Sequence, residues 1–159
     1  MLTDVLNALA RGRNCLLLTQ WTAHVTLLAD LMQAAGHQPV VLRGGMGARQ
    51  RREAAERLRP GDGPLLVVAT GPYVGEGFDC PALDTLFLAA PIAFKGRLVQ
   101  YVGRVLRAAP GKHTVEVHDY HDVQTAVLAS SLRKRAVGYR SLGFPDPSTT
   151  RRRPPAPSG

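Results

Sequence analysis

The polar residues best suited to chemistry lie in one segment of the second half of the chain. Gln100, Arg104 and Arg107 alternate there with apolar residues at helical spacing. At about 100° per residue, the three side chains fall within roughly a 60° arc. Guanidinium and amide groups that converge in this way suit phosphate oxygens. Spacing alone leaves a solvated polar helix face as the alternative.

A second group of candidate residues follows an apolar run in the middle of the chain. Thr70 and Gly71 end that run, and Gly75, Gly77 and Asp79 come shortly after it. Ligands of open parallel sheets bind at the carboxyl ends of the strands, where a hydroxyl group and glycine amides suit a phosphate. A plain connecting loop would use the same residue types, so both interpretations stay open.

A third group consists of arginines around a glycine-rich segment, namely Arg43, Arg49 and Arg52. The formal net charge is +8, and only three of the 20 basic residues are lysines. Phosphate recognition explains this bias, because arginine binds phosphate bidentately. A GC-rich genome explains the bias equally well, and for these three arginines the alternative is a solvated helix with Glu53 and Glu56 alongside.

The elements that would position these residues alternate between short apolar runs and amphipathic helical stretches. This alternation is typical of βαβ units and predicts an α/β domain with a mostly parallel sheet. Glycine and proline make residues 71–81 irregular. The predicted strands are 15–19, 39–42, 65–70, 85–89 and 114–119, and the predicted helices are 22–35, 48–58, 95–107 and 123–139.

Length and composition narrow the class of protein. The chain has 159 residues, of which 45% are hydrophobic and 20% charged, which is typical of one globular domain. We expect this domain over residues 1–144 and a disordered tail rich in Pro, Ser and Arg over 145–159. No secretory signal or membrane span is recognisable, and two isolated cysteines form neither a disulfide framework nor a metal-ligand set. A cytoplasmic protein without a metal site is expected.

Taken in order along the chain, these segments resemble the C-terminal RecA-like lobe of superfamily 2 helicases. Residues 100–107 are similar to motif VI, Q-x-x-G-R-x-x-R, residues 69–81 to motif V, and residues 16–32 to motif IV. The resemblance extends to about Phe144 and is to the bacterial DEAD/DEAH-like group related to XPB and restriction-enzyme motor subunits. It implies a single RecA-like domain.

The resemblance also implies roles for the candidate residues. In such motors ATP, with Mg²⁺, binds between two RecA-like lobes, and arginines of the second lobe reach its γ-phosphate. Arg107 matches the arginine finger, Arg104 the second arginine, and Gln100 a group that positions phosphate or water. Asp79 matches an acid that senses ribose or orients the arginines. Gly75 and Gly77 match positions where the backbone is approached closely. The residues that match contacts to nucleic-acid phosphates are Thr70, Gly71, Arg43, Arg49 and Arg52.

The chain departs from a complete motor in two places. It has no G-x-x-x-x-G-K-[ST] loop, since the Gly-Lys pair at 111–112 is followed by His113, and it has no Asp-Glu pair. By itself it is not expected to hydrolyse ATP, and it would need a P-loop-bearing first lobe in cis or in trans. The resemblance predicts a second motor lobe acting on DNA in preference to RNA.

Two other interpretations belong to different classes. One is a non-catalytic nucleic-acid-binding or regulatory module derived from a helicase lobe. The other, a free-standing nucleotide-binding protein, would require a phosphate loop that the sequence lacks. Trp21 also has two interpretations, because an exposed tryptophan can stack on a base or simply lie at the surface.

Overall fold

The structure, a computed structural model, describes residues 1–75, 78–90, 100, 102–103, 107, 111–112, 114–120 and 136–145. Its helices are α1 (Leu2–Ala10), α2 (Thr22–Ala34), α3 (Ala48–Arg57) and α4 (Gly71–Gly75), and residues 136–141 are helical as well. Its strands are β1 (Cys15–Thr19), β2 (Val40–Leu42), β3 (Leu66–Thr70), β4 (Thr85–Leu88) and β5 (Glu116–Asp119). No described helix is long and apolar enough to cross a membrane.

The five strands form one all-parallel sheet in the order β2-β3-β1-β4-β5. The register pairs Thr19 with Thr70 and Leu88 with Asp119, so the carboxyl ends of the strands meet at one edge. This confirms the predicted α/β class with a parallel sheet, and each strand begins and ends within two residues of its predicted bounds.

The central strands are apolar because both faces of the sheet are covered. Every residue of β1, β3 and β4 is buried, and alternate side chains enter opposite layers. Leu16 and Leu18 pack with Ala54 of α3 in one layer, which also contains Val102 and Tyr139. The opposite layer joins Cys15 and Leu17 to the buried faces of α1 and α2.

Two short helices differ from the sequence-based prediction. Helix α1 is not among the predicted elements, although Val5, Ala8 and Leu9 are spaced as one helical face and are buried against the sheet. Within the segment expected to be irregular, the first five residues form α4, and Val74 is buried there. Most of the predicted helices 95–107 and 123–139, and nearly all of the tail 145–159, lie outside the described residues.

An ion-pair network joins the amino-terminal ends of β1, β4 and β5. Arg13 donates through Nε to Thr85 Oγ1 at 2.9 Å and through Nη1 to Thr114 Oγ1 at 2.7 Å, and its Nε lies 3.3 Å from Asp84 Oδ1. Arg11 donates to both carboxylate oxygens of Glu116, at 3.0 and 3.1 Å. We call Arg11, Arg13, Asp84 and Glu116 the Arg13 cluster.

Candidate functional site

The carboxyl edge of the sheet brings two of the three candidate groups together. Thr70 ends β3 and is almost fully buried, and the buried Gly71 begins α4 directly after it. Because Leu42 pairs with Ala69, the next residue, Arg43, leaves β2 at the level of Thr70 on the adjacent strand. A hydroxyl group, a glycine amide and a half-buried guanidinium therefore leave the sheet at one place.

The other two arginines of the third group lie in α3, which follows the loop after β2. Gly45 has φ +78°, a backbone conformation that favours glycine. In α3, Arg49 Nε donates to Glu53 Oε1 at 2.9 Å, and the Arg49 side chain is 91% exposed. Arg52 is also exposed, and no ion pair joins it to another residue in the described part of the chain. Glu53 therefore partly neutralises Arg49, whereas Arg52 has no such partner among the described residues.

The first and second candidate groups meet in an ion pair between Asp79 and Arg107. Arg107 Nη2 donates to Asp79 Oδ2 at 2.7 Å, and the two side chains are 53% and 55% exposed. Two segments 28 residues apart in sequence therefore converge, an arrangement compatible with one of the two roles that the resemblance gave Asp79. The guanidinium is held at the surface by one carboxylate oxygen.

Lys112 belongs to the Gly-Lys pair that does not complete a phosphate loop, and it contacts the backbone of Arg107 next to this ion pair. Its Nζ donates to the backbone carbonyl of Arg107 at 2.7 Å. Desolvation by burial lowers the pKa of Lys112, and burial likewise raises the pKa of the Cys80 thiol, which is next to Asp79. No spacing rule links Lys112 to Arg107, because the contact is set by the fold and not by a sequence pattern.

The remaining candidates are only partly described. Gln100 and Val102 are helical, and Gln100 is exposed whereas Val102 is buried in the core. Gly103 is exposed, and a Cβ there would meet no atom within 4 Å. Gly75 ends α4. Arg104 and Gly77, both predicted site residues, lie outside the described residues, so their predicted roles stay predictions.

A polar pair at the same carboxyl edge was not among the candidates. Thr19, the last residue of β1, lies with its Oγ1 2.7 Å from His24 Nδ1. Thr19 is almost fully buried, as is its strand partner Thr70. The sequence signals for this pair were a threonine at the end of an apolar strand and a histidine in the first turn of the next helix. Within the described part of the chain, no three His, Cys, Asp or Glu side chains cluster as metal ligands would.

The all-parallel sheet, with helices on both faces, is that of a RecA-like lobe. The crystal structure of the C-terminal part of the Fun30 ATPase domain superposes with a TM-score of 0.64 at 11% sequence identity, covering 89% of this chain. At that identity the similarity shows the fold alone. The chain spans about half of that structure, 52% of its length.

The sequence comparison goes further than the fold. The helicase conserved C-terminal domain family matches residues 1–109, more than half of the chain. The chain therefore belongs to this family, whose members correspond to the second lobe of superfamily 2 ATPases. No curated protein matches the sequence.

Proposed function

We propose that this domain is the second motor lobe of an ATP-dependent superfamily 2 helicase or translocase, of the bacterial cytoplasmic group related to XPB and restriction-enzyme motor subunits. In this role Arg107 is the arginine finger for ATP and Mg²⁺ bound by a first lobe. The carboxyl edge of the sheet contacts the nucleic-acid backbone. Family membership supports the class of protein, and the Asp79–Arg107 ion pair is the observation that carries the specific role.

The ion pair supports this role because it is easily exchanged. Exposed single-contact ion pairs contribute only about 0–1 kcal/mol, and both side chains of this pair are more than half exposed. A triphosphate enclosed between two lobes carries more negative charge than one carboxylate and is less exposed to water. Its electrostatic attraction to a guanidinium is therefore stronger. In this role Asp79 holds the Arg107 side chain at the surface until a phosphate replaces the carboxylate. Lys112 fixes the Arg107 backbone through its hydrogen bond to the carbonyl.

Gly103 gives independent support for a partner surface next to this helix. Glycine in a helix interior costs about 1 kcal/mol relative to alanine. Packing within the chain does not require it, since a Cβ at Gly103 would contact nothing. A first lobe that approaches the backbone at this position accounts for the glycine, and it would place Gln100 and the sequence neighbour Arg104 at the shared cleft.

The carboxyl edge supports the nucleic-acid contact. Thr70 and Gly71 carry a hydroxyl group and an amide at the end of β3, Arg43 leaves β2 at the same level, and Arg52 adds charge on α3. Contacts of this type hold a phosphate backbone in register without reading its sequence. DNA is the proposed substrate in preference to RNA.

The test is ATP turnover by the full chain, with and without single-stranded DNA, alone and mixed with a first lobe that carries the P-loop. We expect turnover only in the mixture, because this sequence contains no phosphate loop. Arg107→Ala should lower that turnover by about 10³- to 10⁵-fold and leave DNA affinity nearly unchanged.

Arg59→Ala is the control, because Arg59 is also exposed and lines a pocket with Asn14 and Leu65 near the amino-terminal ends of β1 and β3; it should retain full turnover. Unchanged turnover of Arg107→Ala would remove the finger assignment. A mixture that binds DNA but never turns over ATP would favour the non-catalytic binding module instead.

A further inference from the structure

Trp21 is a large apolar side chain that the fold leaves in water. It is the only tryptophan of the chain, its exposure is 60%, and it lies between the end of β1 and the start of α2. Neither core layer contains it. The packing of the described residues therefore gives no reason for an indole at this position.

The indole is carried by well-anchored backbone. The Trp21 carbonyl accepts hydrogen bonds from the amides of His24 and Val25, both at 3.1 Å, so the first turn of α2 holds it. The His24 ring centroid lies 6.4 Å from that of Trp21 at a 43° tilt. His24 is itself tied to the end of β1 through its contact with Thr19. An aromatic group supported in this way is a preorganised platform.

This platform lies beside the residues proposed to contact phosphates. Thr19 pairs with Thr70 on the neighbouring strand, and adjacent strands are about 4.8 Å apart. Trp21 comes two residues after Thr19, and Arg43 leaves the sheet on the other side of β3. An aromatic face next to phosphate-binding groups is the combination with which proteins bind single strands, the rings stacking on bases and the polar groups following the backbone.

We propose that Trp21 stacks on an unpaired base of a single-stranded nucleic acid whose backbone crosses the Thr70–Gly71 edge. This inference rests on the nucleic-acid contact of the proposed function, and it adds that the nucleic acid is single-stranded where it passes Trp21. A duplex offers no free base face along its length, since its bases are stacked on each other. The site therefore selects for a separated strand.

Because Trp21 is the only tryptophan, its fluorescence reports on this site alone. We would titrate the full chain with oligothymidylate and, separately, with a blunt duplex of the same length, following tryptophan emission. Stacking on a base should quench the emission with the single strand, and should protect the indole from acrylamide. The duplex should leave both signals unchanged.

Affinity is measured independently, by the anisotropy of a labelled oligothymidylate. Trp21→Ala should weaken binding by about tenfold, the size expected for one base stacked on an aromatic ring. Trp21→Phe retains a stacking face and should stay within about twofold of the unmodified chain. The control is Leu27→Ala, which removes an apolar side chain that is 54% exposed and lies further along α2, and it should not change affinity.

Each outcome bears on the proposal. Quenching by the single strand together with loss in Trp21→Ala and recovery in Trp21→Phe supports it. Binding with unquenched emission, equal affinity of Trp21→Ala, or equal quenching by the duplex overturns the stacking and leaves the proposed backbone contact standing. Absence of any binding at low salt overturns both the stacking and the nucleic-acid contact.

Discussion

The Arg13 cluster and the Asp79–Arg107 ion pair use the same chemistry in different surroundings. The Arg13 side chain is 14% exposed and bonds to two threonine hydroxyls and two backbone carbonyls besides its carboxylates. Arg107 is 53% exposed, and its described side-chain contact is one oxygen of Asp79.

The difference in partners separates a structural arginine from one that is free to act. Removing a largely buried, multiply bonded guanidinium leaves several polar groups unsatisfied, which is costly. Releasing an exposed guanidinium from one carboxylate costs little, because water replaces the carboxylate. The first arrangement joins three strands of the sheet, whereas the second keeps a cation at the surface for a stronger anion.

The largest stability effect is expected at Arg13. Arg13→Ala should lower the free energy of unfolding by about 3 kcal/mol, because Asp84, Glu116 and two threonines lose a common donor. Urea unfolding measures it. Arg11→Ala, which removes a more exposed arginine from the same cluster, is the control and should cost no more than about 1 kcal/mol. If the two variants lost equal stability, the comparison would fail on its structural side.

The next effect is a pH dependence at Glu116. The hydrogen bond from Arg11, with further contributions from His118 and Arg13, lowers the pKa of Glu116 from its ordinary value of 4.5 to about 2. A carboxylate with a lowered pKa in the folded state stabilises the protein above its unfolded-state pKa, and that stabilisation is lost as pH falls towards the folded-state value.

Glu116→Gln should therefore cost about 1–2 kcal/mol at neutral pH, a figure reduced for solvent screening of this partly exposed group. The difference between Glu116→Gln and the unmodified chain should shrink as pH falls from about 4.5 towards about 2. Urea unfolding at several pH values measures it for both chains. A difference that is constant across this range would show that Glu116 acts through packing and not through its charge.

The smallest stability effect is expected at Asp79. Asp79→Asn removes the carboxylate charge from the exposed pair, so the free energy of unfolding should change by less than about 1 kcal/mol. The change should also decrease in high salt, because salt screens exposed charges. Urea unfolding at low and high salt tests this. A loss as large as that of Arg13→Ala would place Arg107 among the structural arginines and weaken the finger assignment.

The sequence was most informative where burial and periodicity act together. Apolar runs such as 15–19 and 65–70 are strands with both faces covered, so their composition alone identified them. The first helix was missed because only three of its residues, Val5, Ala8 and Leu9, are buried, which makes its apolar face weak in sequence. The short helix α4 was missed because glycine and proline count against helices, and the burial of Val74 outweighs that preference.

For the candidate site, the motifs predicted which residue types matter, and the family match agrees with the class of protein they indicated. One role that the resemblance gave Asp79, orienting the arginines, agrees with its contact to Arg107. No motif pointed to the contact of Lys112 with the Arg107 backbone. A hydrogen bond from Lys112 to a backbone carbonyl leaves no trace in spacing. The Thr19–His24 contact likewise depends on the angle at which α2 leaves the sheet.

By itself, the sequence determined the parallel α/β fold class, the absence of a phosphate loop and the candidate residues for phosphate binding, because hydropathy and motif spacing are local properties. Only the tertiary structure decided which charges are buried and which stay exchangeable. Arg13 and Arg107 are the same residue type, and they differ in the number of partners that distant segments bring to them. Solvent exposure and partner number are set by packing, and packing is a property of the whole fold.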